Sequence, residues 1–138
     1  MATFNKFNSF VEAIAEKVHN LGSDQLVVAL CAAANAPSAS NTKLSDLTQI
    51  SYTNLSSRNI TTFSSSQTSG TYKLILNDLT LSASGGSVAT FRYIVIYNDT
   101  ATNDELIGYY DYGSDVTLAS GQNLIIDFDG SNGVISIT

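Results

Sequence analysis

The sequence contains no tryptophan and only one cysteine, one proline, one methionine and one histidine in 138 residues. A lone cysteine excludes an internal disulfide framework, and without a Cys/His cluster there is no tetrahedral zinc site. Charged residues make up only 13% of the chain, about half the usual share of roughly 25%, and Ser, Thr and Asn fill the gap. Bases are scarcest: six Lys+Arg stand against twelve Asp+Glu, for a net charge of −6. With so few cations, counterion release cannot drive binding to nucleic acid. No apolar run approaches the 18 or so residues of a membrane-spanning helix, and the first 18 residues lack the basic-then-apolar order of a signal peptide. The expectation is a soluble, single-domain protein made inside the cell, with no cofactor, no metal and no membrane or nucleic-acid partner. At this length roughly 70% of the unfolded surface can be buried, enough for one self-sufficient core.

What is present divides by period. From Phe4 to Leu21 the apolar residues Phe4, Phe7, Val11, Ile14 and Val18 recur at three-four spacing, with Phe10 and Leu21 widening the stripe. Thr3 is a potential N-cap, Lys17 and His19 fall in the last turn, and Gly22 follows as a stop. The pattern predicts an amphipathic helix over residues 4–20. Leu26 to Ala34 is a short, wholly apolar run and predicts a strand buried on both faces. Residues 35–42 hold the only proline, Pro37, in a loop; the Leu44, Leu47, Ile50 spacing fits either one helical turn or an edge segment. Residues 51–70 are rich in Ser and Thr, with Tyr52, Leu55, Ile60 and Phe63 as apolar anchors, and predict a long loop feeding an edge strand.

From Thr71 onward alternation dominates. Tyr72, Leu74 and Leu76 share a face, Leu79 and Leu81 resume the pattern, and Gly85-Gly86 is a two-residue hairpin signal. Phe91, Tyr93, Val95 and Tyr97 are expected on one face of the next strand, and Arg92, Ile94 and Ile96 on the other. Residues 106–112 return, and further strands are expected at 115–118, 123–128 and 134–137, each bounded by Gly, Ser, Asn or Asp. Short strands at this rhythm predict a mainly β chain, an antiparallel β-sandwich of jelly-roll type over residues 25–138 behind one N-terminal helix. Residues 1–92 carry a net +1 and residues 93–138 a net −7, so the acidic excess lies in the last third.

Few residues suggest chemistry. His19 is the only histidine and has no second ligand to share a metal; no Gly-x-Ser-x-Gly elbow provides a nucleophile for it. Cys31 lies in the apolar run, far along the chain from any Lys or Arg, which suits a core residue rather than a nucleophile. Asp127, Asp129 and Asn132 have part of the spacing of a calcium loop but lack its closing Glu, and Asp-Gly and Asn-Gly are ordinary turn formers. The same two aspartates as a glycosidase pair would need an environment that raises one pKa. Tyr109, Tyr110 and Tyr112 beside Asp111 and Asp115 suggest a sugar-stacking platform, although alternation puts Tyr109 on the opposite face. Asn54, Asn59 and Asn98 start Asn-x-Ser/Thr triplets, which matter only on a secretory route. Phe4, Phe7 and Phe10 crowd the first turns of the predicted helix, either as core or as anchors for a partner groove.

Four stretches, NKFNSFVEAIAEKVHNLGSDQLVVAL, SSSQTSGTYKLIL, ASGGSVATFRYIVIYNDT and IGYYDYGSDVTLASGQNLIIDFDGSNGVISI, together resemble small virion structural proteins of tailed bacteriophages. The likeness spans most of the chain and rests on no catalytic signature. It implies a non-enzymatic virion component: first a capsid decoration, or cement, protein that binds the expanded shell, and second a tail or head-to-tail connector component. A carbohydrate-binding module is the reading outside that group. The implied partners are the major capsid protein and neighbouring copies of the same chain, as a homodimer or homotrimer on a symmetry axis. The implied location is the capsid surface of the virion, after synthesis in the host cytoplasm.

Overall fold

The computed structural model describes residues 2–138. It is mainly β, with antiparallel sheets and one helix near the N-terminus. The strands are β1 (Asn5–Lys6), β2 (Leu26–Cys31), β3 (Asn59–Ile60), β4 (Thr62–Thr68), β5 (Thr71–Leu76), β6 (Leu79–Ser82), β7 (Phe91–Asn98), β8 (Leu106–Val116), β9 (Asn123–Ile126) and β10 (Ile135–Ile137). The helix α1 spans Asn8–Ala15. One five-stranded sheet has the order β1-β8-β7-β2-β3; a three-stranded sheet, β10-β5-β4, and a two-stranded one, β6-β9, complete the fold. No helix among the described residues is long and apolar enough to cross a membrane.

The main core lies between the five-stranded sheet and the two smaller ones. Val28, Leu30, Ile94, Ile96 and Ile107 meet Leu74, Leu76 and Ile135 of the three-stranded sheet and Leu81 and Ile126 of the two-stranded one, giving a sandwich-like arrangement. The opposite face of the large sheet is also dry. Val27, Ala29, Cys31, Val95, Tyr97 and Leu106 are covered by Phe7 and by Leu44 and Leu47 of the 36–50 segment. Two covered faces explain why β2 is buried at every position and why its sequence is continuously apolar. The 43–50 segment combines both expectations, with a 3-10 turn at Leu44–Asp46 and a single bridge from Lys43 to Glu105.

The N-terminal expectation is corrected. Helix covers only Asn8–Ala15, and Phe7, not Thr3, occupies the N-cap position without a side-chain cap. Asn5 and Lys6 instead pair with Tyr109 and Gly108 at the edge of the large sheet. Gly108 permits this: a Cβ there would lie 2.2 Å from the Phe4 ring and 2.9 Å from the Asn5 carbonyl oxygen. The helix ends before Gly22, because Lys17 adopts φ +67, which breaks the α-helical path. The buried side of α1 is Phe10, with Ile14 half-buried, whereas Val11 and Val18 face solvent.

Three further readings change. Residues 62–68 form a seven-residue strand rather than loop, pairing with β5 past a register shift between Thr62 and Ser64. Gly85-Gly86 makes no two-residue hairpin, since β6 pairs with β9 and the glycines sit in a crossover between sheets. Phe91 leaves the face of Tyr93, Val95 and Tyr97 and joins the main core with Ile94 and Ile96. A bulge explains it: Tyr93 opposes Asp111 but Phe91 opposes Val116, so Tyr112–Asp115 loop out of β8 and the phase flips. Arg92 holds the bulge by donating to both carboxylate oxygens of Asp111 (2.8 and 3.1 Å), which also accepts the Gly113 N–H at 2.8 Å.

Candidate functional site

The residues singled out by sequence lie in different parts of the fold. Phe4, Phe7 and Phe10 fan out in three directions. Phe4 packs on Tyr110 (ring centroids 5.4 Å apart), Phe7 on Tyr109 (5.2 Å) and Phe10 on His19 (5.5 Å). Phe7 is wholly buried and Phe10 nearly so, and Phe4 is half-buried against the core. As partner anchors they are corrected: their rings are consumed within the chain, because the edge pairing of β1 turns the flanking Phe4 and Phe7 to opposite faces and α1 turns Phe10 inward.

Cys31 is a free, buried thiol whose pKa is pushed up to about 11 by burial, so it is a poor nucleophile. His19 is buried too, its Nδ1 lying 3.0 Å from the Asn98 amide. Asp129 is used by a turn. Its Oδ1 accepts the N–H groups of Ser131 (2.9 Å) and Asn132 (2.8 Å), and its Oδ2 accepts the Asn132 amide at 3.1 Å. Those bonds hold the Asp129 carboxyl below the usual carboxylate range. Asp127 is exposed, next to buried Phe128. Among the described residues, no three His, Cys, Asp or Glu side chains come close enough to hold a metal.

Two surface features remain. The first is a cleft of about 310 Å³ between β7–β8 and β9, lined by Ile94, Tyr110, Tyr112, Leu124, Ile125 and Asp127 among others. Tyr110 and Tyr112 therefore do share a face, with Tyr109 on the other side against Phe7. Tyr110 is wedged between Phe4 and Phe128, and burial pushes its hydroxyl up to about 12. Tyr112, in the β8 bulge, and Ile125 (59% exposed) are the cleft's exposed large apolar side chains.

The second feature is the edge strand β4. Among the described residues it hydrogen-bonds on one side only, to β5, and its sequence TFSSSQT carries no charge. Ser64 and Ser66 hydroxyls lie 3.2 Å apart, while Ser65 turns the other way to the Tyr72 hydroxyl at 2.8 Å. Phe63, an expected apolar anchor, is instead 71% exposed at the register shift. The sequence signal for this edge is the uncharged interval between Arg58 and Lys73. Comparison with protein-family models, curated proteins and solved structures finds no match to the chain.

Proposed function

We propose that this chain is a non-enzymatic structural protein of a tailed-phage virion, a capsid decoration protein that grips and stabilises the expanded shell. A tail or head-to-tail connector component is the nearest alternative within the same reading. The observation that carries it is the division of labour among side chains. The groups with chemical potential, His19, Cys31 and Asp129, are engaged in packing and turns. The accessible specialised surface is a neutral strand edge bearing an exposed Phe63. An unpaired edge offers main-chain donors and acceptors to another chain. Contacts built from hydroxyls, amides and backbone resist changes in salt, because screening acts on ion pairs and not on them. A protein that binds only the expanded shell stabilises that state by RT ln(1 + [L]/Kd), about 4 kcal/mol per site at a thousandfold excess over Kd.

The test is direct binding of purified protein to empty expanded shells, with copies per shell subunit counted by quantitative mass spectrometry. A fixed stoichiometry comparable to the shell protein is expected; no binding, and absence from purified particles, would overturn the reading. The tyrosine-lined cleft favours a second reading, a carbohydrate-binding module. That reading requires Tyr112→Ala to abolish retention on a glycan with the melting temperature unchanged, and a blank glycan array refutes it.

A further inference from the structure

We propose that His19 is a pH-sensitive latch, which fastens the N-terminal helix to the β7–β8 connection only while its imidazole is neutral. The hydrogen-bond network around the ring has one consistent assignment, whatever the role of the chain. Asn98, at the end of β7, is wholly buried. Its Oδ1 accepts the backbone N–H groups of Thr100 (3.0 Å) and Ala101 (3.2 Å), which fixes the orientation of the amide. Both Nδ2 hydrogens are therefore donated elsewhere, one to Asp24 Oδ2 at 2.7 Å and the other to His19 Nδ1 at 3.0 Å. Nδ1 must accept, so the ring proton resides on Nε2. That Nε2 is buried and has no hydrogen-bond partner among the described residues.

The latch joins three parts of the chain. The ring is 5% exposed and lies against Phe10 of α1, tilted by 31°. Asp24 also accepts the Asn20 N–H at 2.8 Å, closing the turn that follows the helix. Asn98 in turn shapes the start of the β7–β8 loop. A second proton on His19 would bring an Nδ1–H against the Asn98 N–H, two donors face to face, and would place a cation in a dry site. Asp24 from the turn and Glu105 at the head of β8 favour the cation, but burial outweighs them and holds the His19 pKa below its ordinary value. Lys17 is the base that shares the hollow bordered by His19, and from β5 the polar group there is the Tyr72 hydroxyl, tied to Ser65.

The sign follows from linkage. A histidine with a depressed folded pKa leaves the unfolded chain binding more protons, so its contribution is present above about pH 6.5 and lost as pH falls through the folded pKa. Histidine-ring ¹H–¹⁵N spectra of the full chain at pH 7 are expected to show a neutral Nε2–H tautomer. The unfolding constant should be flat from pH 7.5 to about 6.5 and then rise by up to about tenfold per pH unit until the folded pKa is reached. Amide exchange should quicken over residues 8–21 and 98–105 together. His19→Phe, which keeps the contact with Phe10, should remove the slope that begins below about pH 6.5. A ring that titrates at or above its ordinary value, an Nδ1–H tautomer, or an unchanged slope in the variant overturns the latch. If the variant does not fold, the ring spectra of the unaltered chain decide alone.

Discussion

Strands β2 and β4 have nearly the same length and opposite fates at their edges. β2 pairs fully with β7 but meets β3 at only two residues, and the remainder of that edge is closed by other groups. The Arg58 N–H groups reach the Val28 carbonyl (2.6 Å), the Tyr52 hydroxyl accepts the Leu30 N–H (3.0 Å), and Ile50 donates to the Leu30 carbonyl (3.0 Å). The Arg58 guanidinium lies 3.7 Å above the Tyr52 ring, so the plug is itself braced. Among the described residues β4 has no such cover. An edge buried by apolar neighbours on both faces must have its backbone groups satisfied internally, whereas a hydroxyl-rich edge can leave that task to water or to another chain.

The contrast can be broken most severely at the N-terminus. Removing residues 1–10 strips Phe4, Phe7 and Phe10 from the two cores beside β2; at about 3–5 kcal/mol for each large aromatic, the loss matches the whole stability of an ordinary domain. No cooperative thermal transition is expected. Had those rings been mere partner anchors, melting would be unchanged. Leu30→Ala, at a fully buried position of β2, should cost about 3 kcal/mol in urea unfolding, with the slope m unaltered. Tyr52→Phe sharpens the edge comparison by removing the acceptor for Leu30, at a cost of about 1–2 kcal/mol by the same measurement. Phe63→Ser should shift stability by less than about 0.5 kcal/mol, as for other exposed sites, while reducing attachment to expanded shells. If Phe63→Ser instead destabilises like Leu30→Ala, β4 is not a free edge.

The sequence was most legible where one environment governs a whole segment. Leu26 to Cys31 reads as a doubly buried strand because both its faces are covered, and Tyr72, Leu74 and Leu76 read correctly because one face is. It misled at Phe4 and Phe7, whose spacing of three fits a helix. The competing signal was Gly108, a vacancy a hundred residues away that admits the Phe4 ring, and no local pattern reports it. Phe91 was misplaced for a related reason: alternation assumes an unbroken ladder, and the Tyr112–Asp115 bulge in the partner strand breaks it. At the candidate site, alternation correctly joined Tyr110 to Tyr112. The roles of Asn98 and Arg58 were invisible, since each bonds across the fold to residues dozens of positions distant.

The pairing of Asn5 with Tyr109 also bears on how the chain is made. Residues 4–7 need the β8 backbone, about a hundred residues further along the chain, before their phenylalanines have anywhere to go. Until β8 has been made that segment waits with its aromatic rings in water, a natural handle for a chaperone.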